Sequence, residues 1–518
     1  MNALFEQESS SVADFRTYQR WLFVITQLGY LPIAGSMLAT TFFEPSKLRC
    51  EQMRNRTFSS PMETMHFETF MFDQEDENFY SLLMHWNMAC QQSAIPTFIS
   101  FFVMIGGVVG AFLAGYLADR FGRKPVVVGT MFIVCLGNLI LSLLGNSHWL
   151  LTAMILGCLG AASGGYMVVN MVLVVEALER PKSRLLVVSL NGWPLGMSFV
   201  AICAWFSRHW WTYHCVVAIS AGIVGVVLQT FSLESVRWLV QHDRHVRADK
   251  IRLIIDNRNG LVSSLSPHCV RYSDSQRTTE LLASEFEADS STLSSSETSS
   301  RKHYSYIDLF INCSVRSHLL ALLYCFTVSS VVSFGIYFNV EALPGNRYLN
   351  LLAMGALKFS LGLIPYFVSS WFGRRPIALI STGMAMIAGW SLVVAWIALR
   401  LGSHWLITVL SITVTASLDP TWKINHLYST ELFPTVVRNM ARAICNVGAR
   451  LGGVLAPGIV FLRSTNEVLP YVVFSVLLTI QWFISYAFLP ETKDKPLTDV
   501  LEDESLNNTK FDESAREK

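Results

Sequence analysis

Apolar runs of about 20 residues recur along the chain, and each is long enough to cross roughly 30 Å of hydrocarbon. Inside a bilayer the backbone must satisfy its own hydrogen bonds, so such runs fold as helices. Twelve are legible, near residues 21–43, 95–117, 125–144, 149–175, 185–206, 211–232, 317–340, 349–372, 376–399, 404–428, 439–462 and 468–489. An all-α polytopic membrane protein follows. Of the 518 residues 52% are hydrophobic and 15% charged, where a soluble chain carries about 25% charged residues. The net charge of +1 says little, because charge in such a chain is sorted by side of the membrane.

Residues 1–20 are polar and mixed in charge. They lack the basic stretch and cleavage site of a secretory leader, so the first run is expected to stay as a signal anchor and first span. Arg120, Arg123 and Lys124 share a loop face with Arg180, Lys182, Arg184, Arg237, Arg374, Arg375 and Arg438. The short loops opposite carry little beyond Arg208, Arg347, Arg400 and Arg463. The positive-inside rule makes the first set cytoplasmic, together with both termini, 1–20 and 491–518.

One long outside loop, 44–94, holds the glycosylation sequon Asn55-Arg56-Thr57. The sequons at Asn312 and Asn507 fall on the cytoplasmic side and are expected to be silent. The loop also holds Cys50 and Cys90, two of ten cysteines, which can form a disulfide in an oxidising compartment. Most others lie in or beside spans, where a thiol serves as a small hydrophobe. No CxxC pair or His/Cys cluster suggests a metal, and no cofactor is implied.

Two six-span halves, 21–233 and 317–490, flank a polar linker, 234–316, whose middle, "DSSTLSSSETSSRK", is too polar to fold alone. The halves repeat at an offset of about 250 residues. "FGRKP" (Phe121–Pro125) follows the second span and "FGRRP" (Phe372–Pro376) the eighth. Glu176 with Arg184 flanks the turn after the fourth span, as Glu431 with Arg438 does after the tenth. "LES" (Leu233–Ser235) closes the sixth span and "PET" (Pro490–Thr492) the twelfth. Matches in register at equivalent turns indicate internal duplication. Gly122 and Gly373 give the tight connections their backbone freedom. Arg120, Arg123, Lys124, Arg374 and Arg375 hold these loops at the cytoplasmic face. Asp119 caps a neighbouring helix end or pairs with an arginine of the adjacent half. With Glu176, Arg184, Glu431 and Arg438 these residues form a candidate gate between the halves.

"GYLADRFGRK" (Gly115–Lys124) resembles the signature loop of the major facilitator superfamily. "ESVRWL" (Glu234–Leu239) and "ELFPTVVRN" (Glu431–Asn439) resemble signatures of the organic anion and organic cation transporters, solute carrier family 22. The long glycosylatable loop does so too. The resemblance covers nearly the whole chain and implies a twelve-helix carrier with two pseudo-symmetric halves, alternating access and one site near the midplane. Leu233 stands where the family usually has proline, and Ala441 where it often has glycine. The outer loop has two cysteines where relatives often have four or more. Sugar porters share several signatures, but their seventh span carries a glutamine pair. Here that span, "LLYCFTVSSVVSFGIYFNV", offers Tyr324, Phe326, Phe334, Tyr337 and Phe338 instead. Aromatic walls suit planar organic ions.

Arg450, within "NVGARLGGVLAP", lies 12 residues beyond Arg438. At about 1.5 Å per residue it sits ~18 Å into the bilayer, where a lone cation costs roughly 3 kcal/mol on insertion scales. Gly448 and Gly452 beside it leave room for a ligand or a neighbouring helix. In the family pattern, organic anion transporters carry arginine here and organic cation transporters aspartate. Asp419 and Lys423, four apart with Pro420 between them, can satisfy each other on one helix face. That leaves Arg450 free. Lys358 adds a cation in the eighth span, although the anion transporters place their lysine one turn on, at Gly362 here. The resemblance implies that Met171, Trp193, Phe326, Phe334, Trp422 and His426 line the cavity with Arg450 and Lys358. His426 either titrates near neutral pH or packs near the cytoplasmic end of its helix.

The expectation is a plasma-membrane, secondary-active carrier of small organic ions, organic anions first. A dicarboxylate counter-substrate or a coupling ion would drive it, since no ATP motif is present. An organic cation or zwitterion carrier using Asp419 as counter-ion is the alternative; a transport-inactive receptor on the same fold is a third. No nucleophile–base pair points to an enzyme, and nothing points to nucleic acid.

Overall fold

The computed structural model describes residues 16–45, 50, 79–90, 94–178, 187, 189–260, 308–369, 371–398, 405–434 and 437–493. Asn55, Arg184, Asn507 and the Ser-rich part of the linker lie outside the described residues. Helix occupies the central part of each of the twelve apolar stretches. These helices are α1 (Thr17–Leu28, continuing as Tyr30–Met37), α2 (Ile95–Phe121), α3 (Arg123–Leu144), α4 (Trp149–Glu176), α5 (Trp193–Ser207) and α6 (Trp210–Phe231). The second set is α7 (Cys313–Phe338), α8 (Arg347–Gly362, continuing as Ile364–Val368), α9 (Arg374–Ile397), α10 (Trp405–Glu431), α11 (Arg438–Phe461) and α12 (Leu469–Phe488). Among the described residues nine are long and apolar enough to cross a membrane.

The other three fall short for visible reasons. Among the described residues α5 runs for only 15. α10 is long enough but buries Asp419, Lys423 and Asn425 together with several threonines and serines. α1 breaks at Gly29, where a Cβ would collide with the Tyr166 ring; the Tyr166 hydroxyl passes close by to donate to the Thr26 carbonyl at 2.7 Å.

The duplication is visible in the packing. α1 lies against α5 as α7 lies against α11, α2 against α4 as α8 against α10, and α3 against α6 as α9 against α12. Small residues set the closest approach: a Cβ at Gly106 or Gly110 would strike the carbonyls of Gly157 and Ala161. Helices that come together this way gain van der Waals contact that lipid tails do not offer. Outward-facing Leu136, Ile219, Ile387 and Phe483 are exposed to the bilayer instead.

The halves meet through α5 on α8 and α2 on α11. On the face opposite the basic loops, Arg347 Nη1 donates to the Glu44 carbonyl at 2.8 Å. Its guanidinium lies over the Phe42 ring at 5.3 Å, and Phe42 stacks on Tyr348 at 5.5 Å. Cys50 and Cys90 are joined in a disulfide beside this seam, where Glu44 accepts from the Cys90 amide at 3.1 Å.

Overpacking a close helix contact costs about 1–3 kcal/mol. Gly110→Val should therefore lower the melting temperature and the yield of folded protein. Gly129→Ala, whose Cβ would have no neighbour within 4 Å, should leave both unchanged in the same thermal-shift assay.

Candidate functional site

A cavity of about 440 Å³ lies between the halves, bounded by α1, α2 and α4 on one side and α7, α10 and α11 on the other. Tyr30, Met37, Met104, Met167, Met171, Asn191, Ser330, Phe334, Trp422, His426, Arg442 and Arg450 line it. The lining continues to Asp119 and Arg123 at the ends of α2 and α3, so the cavity opens on the basic face. The seam around Arg347, Phe42 and Tyr348 closes it on the other.

Arg450 projects from α11 into this space, and its Nη1 lies 3.7 Å from the Met167 sulfur. That is a weak acceptor for a cation. Among the described residues no carboxylate lies within 4.0 Å of Arg450 or Arg442. Asp119, the one carboxylate among the described residues of the lining, pairs with Arg123 at 3.2 Å. The cavity is electropositive. Gly448 and Gly452 make room for a helix and not for a ligand: their missing side chains admit the Leu323 and Thr327 carbonyls of α7. Arg450 is thereby left on the face of α11 turned to the cavity.

The acid expected to pair with Lys423 alone has a nearer partner. Lys358 Nζ, from α8, lies 3.3 Å from Asp419, while Lys423 Nζ lies 3.7 Å away. Lys358 also donates to the Thr415 carbonyl at 3.1 Å. All three side chains are buried within the C-terminal half, and Lys358 does not line the cavity. The spacing of Asp419 and Lys423 on one helix could not reveal a partner from another helix. Gly362 explains the shifted lysine, because a Cβ there would meet the same Asp419 carboxylate.

Of the expected lining residues, Arg450, Phe334, Met171, Trp422 and His426 reach the cavity. Trp193 and Phe326 stand one layer back: Trp193 packs on Phe334 at 5.8 Å, and Phe326 on Trp422 at 5.4 Å and His426 at 5.0 Å. Tyr30, Arg442 and the further methionines were not foreseen. Arg442 had a signal, since it lies eight residues before Arg450 and so near the same helix face.

At the basic face each half holds its own charge cluster. Arg123 pairs with Asp119 and Glu176, each at 3.2 Å, and its amide donates to Glu234 at 2.8 Å. In the other half Arg374 pairs with Glu431 at 3.2 Å, and its amide donates to Glu491 at 2.8 Å. Burial favours the neutral form of Glu491, but the amides of Lys493, Arg374, Arg375 and Thr492 outweigh it and hold this carboxyl below the usual range. Asp119 thus pairs within its own half, not with the adjacent one. Arg120 stands outside the cluster, with its Nη1 donating to Tyr116 at 3.4 Å. Lys124 donates to the Gln229 carbonyl, Arg438 to that of Phe433 and Arg375 to that of Tyr486. Glu234 and Glu491, which close the clusters, sit in the "LES" and "PET" motifs, where only their repetition was legible.

Residues 57–503 match the family described as sugar (and other) transporter. The chain belongs to that family, and several of its relatives carry solute carrier family 22 names. It is 28% identical over 434 residues to a "solute carrier family 22 member 15-like" protein of Xenopus tropicalis, covering 83% of this chain and 82% of that one. Human "organic cation/carnitine transporter 2" is 26% identical over 433 residues, covering 83% and 72%. Among solved structures, an inward open conformation of the xylose transporter XylE from E. coli aligns with a TM-score of 0.59 at 16% identity, covering 91% of this chain and 97% of that one. XylE described as a proton:xylose symporter, bound to 6-bromo-6-deoxy-D-glucose, aligns with the same score over 93% and 98%. That likeness shows the major facilitator fold. The protein is a multi-pass membrane transporter, not an enzyme.

Removing the acid from a buried pair leaves uncompensated charge and costs about 3–5 kcal/mol. Asp419→Asn should sharply reduce folded protein on size-exclusion chromatography. Adding Lys358→Met and Lys423→Met should restore it. Normal stability of Asp419→Asn alone would show that the triad is not charged as described.

Proposed function

We propose that the protein carries small organic anions bearing a carboxylate or similar group across the plasma membrane by alternating access, with Arg450 as their counter-charge. One observation carries this reading: Arg450 faces a central cavity with no carboxylate within ion-pair distance among the described residues. An anionic ligand supplies the partner that α11 lacks, and the guanidinium offers it a planar two-point fork. Phe334, Trp422 and Tyr30 provide aromatic wall for the ligand's body. Met37, Met104, Met167 and Met171 provide flexible, polarizable surface that adapts to different shapes. Lys358 and Lys423 add to the positive field from behind. Transport against a gradient would draw on a dicarboxylate exchanged in the opposite direction or on a coupling ion.

The positive-inside rule makes the basic face cytoplasmic, so the conformation is inward-facing. In this state the two charge clusters tie helix ends within their own halves. The gating role belongs to the outward-facing state, when those loops would approach each other and close the cavity below. Asn55, in the outer loop, would carry the N-glycan.

A zwitterionic substrate is the second reading, favoured by the human relative named an organic cation/carnitine transporter. Its carboxylate would take Arg450 and its cationic end an aromatic face such as Trp422. A purely cationic substrate would find Asp119 at the mouth, already paired with Arg123.

Uptake per surface carrier decides among these, using an aromatic carboxylate, the matching ammonium and a zwitterion built on the same ring. The carboxylate should accumulate, and Arg450→Ala should abolish that uptake. Adding Asp419→Asn together with Lys358→Met and Lys423→Met, which keeps the buried cluster uncharged, should not rescue it, because Asp419 pairs with those lysines and not with Arg450. Uptake of the ammonium alone would overturn the proposal, and uptake of the zwitterion alone would select the second reading.

A further inference from the structure

A second recess lies outside the transport path, where the linker folds back beneath the N-terminal half. Two short helices, Val236–Gln241 and His245–Arg258, follow α6. Between them and the ends of α2, α3 and α6 is a space of about 420 Å³. Its polar wall carries Lys124, Arg244 and Arg247, and its apolar side carries Phe121 and Pro125.

The charge of this recess is unbalanced. Glu234 is its one acid among the described residues, and that carboxylate is committed to the backbone amides of Arg123, Lys124 and Ser235 at 2.8–3.2 Å. Lys124 Nζ donates to the Gln229 carbonyl at 2.9 Å. The Arg244 guanidinium lies over the Trp238 ring, 5.2 Å from its centre. Among the described residues none of the three cations is in a salt bridge.

Its position is also defined. Deeper on α2 and α6, Phe112 and Ile223 are about 60% exposed and face the hydrocarbon. The exposed apolar surface of both helices ends at Phe121 and Phe231, and the cations begin there. The recess therefore sits where acyl chains give way to headgroups. A soluble anion would need the charge but not the apolar side; a phospholipid uses both.

We propose that this recess binds the phosphate headgroup of an anionic phospholipid in the leaflet at the basic face. The acyl chains lie along Phe121 and Pro125, and the phosphate lies among Lys124, Arg244 and Arg247. The bound lipid would hold the linker helix His245–Arg258 against the α2–α3 turn. Trp238, beneath Arg244, donates to the Asp119 carbonyl at 2.8 Å, so the lipid also braces the turn that carries the charge cluster. This site does not depend on the sign of the transported ion.

The test is native mass spectrometry of the full-length protein titrated with phosphatidylglycerol or phosphatidylcholine. Phosphatidylglycerol should bind more tightly. Arg244→Gln with Arg247→Gln should weaken it about thirtyfold, the loss expected for two cations at a charged membrane surface, with phosphatidylcholine unaffected. Arg247→Gln alone should weaken it about fivefold, which keeps the test decisive if the double variant folds poorly. Arg252→Gln, on the same helix but paired with Asp249 at 3.1 Å, should bind as the wild type does. Unchanged phosphatidylglycerol binding in both arginine variants would overturn the proposal. So would equal loss of both lipids, or displacement of the lipid by inorganic phosphate at matched concentration.

Discussion

A guanidinium near the middle of a bilayer must meet water, an acid or a ligand, because hydrocarbon solvates no charge. Much of the central cavity's arrangement follows from meeting that requirement for Arg450. α11 turns Gly448 and Gly452 toward α7, which brings those two helices into backbone contact and leaves the arginine facing the cavity. Asp419, a buried acid of the same half, is taken by Lys358 and Lys423. Much of the remaining lining is thioether and aromatic side chains, which cannot neutralise the charge, and Asp119 at its mouth is paired with Arg123. The cavity must then stay wet or occupied.

The same economy of charge appears at the basic face, where duplication has produced two similar clusters. In each, an arginine at the start of the third or ninth helix pairs with a glutamate at the end of the fourth or tenth. A second glutamate, just beyond the sixth or twelfth, accepts the backbone amide of that arginine. Three helix ends are thus tied together within each half. Alternating access by rocking needs halves that are stiff inside and an interface between them that can change. The α5–α8 and α2–α11 contacts form that interface. Close packing there, as at Gly355 against Pro194 and Ser198, holds the opposite face shut in this state.

Much of the fold was legible because bilayer physics leaves few choices. Length and hydropathy marked the helices, and the repeated turns at Phe121–Pro125 and Phe372–Pro376 marked the duplication. The place of Arg450 in the cavity lining was legible because depth follows from helical rise, and that of Phe334, Met171, Trp422 and His426 because the family pattern places them there. What escaped was contact between helices. Lys358 reads as a cavity cation until α8 is packed on α10, when it turns out to serve Asp419. Trp193 and Phe326 are aromatic like the true lining, and only packing shows that they stand behind it. Tyr30 and the methionines carry no motif, and they become a surface only once α1, α2 and α4 converge.

The central claim is that the charge of Arg450 acts on the charge of the substrate. Equilibrium binding of an aromatic carboxylate and of its neutral primary amide, to purified wild type and to Arg450→Gln, measures that coupling directly. A charge-assisted hydrogen bond lost from the site should weaken the carboxylate by at least about tenfold, while the amide, which never used the charge, binds both proteins alike. Equal weakening of the two ligands would mean that Arg450 shapes the cavity without recognising the ion, and would contradict the account.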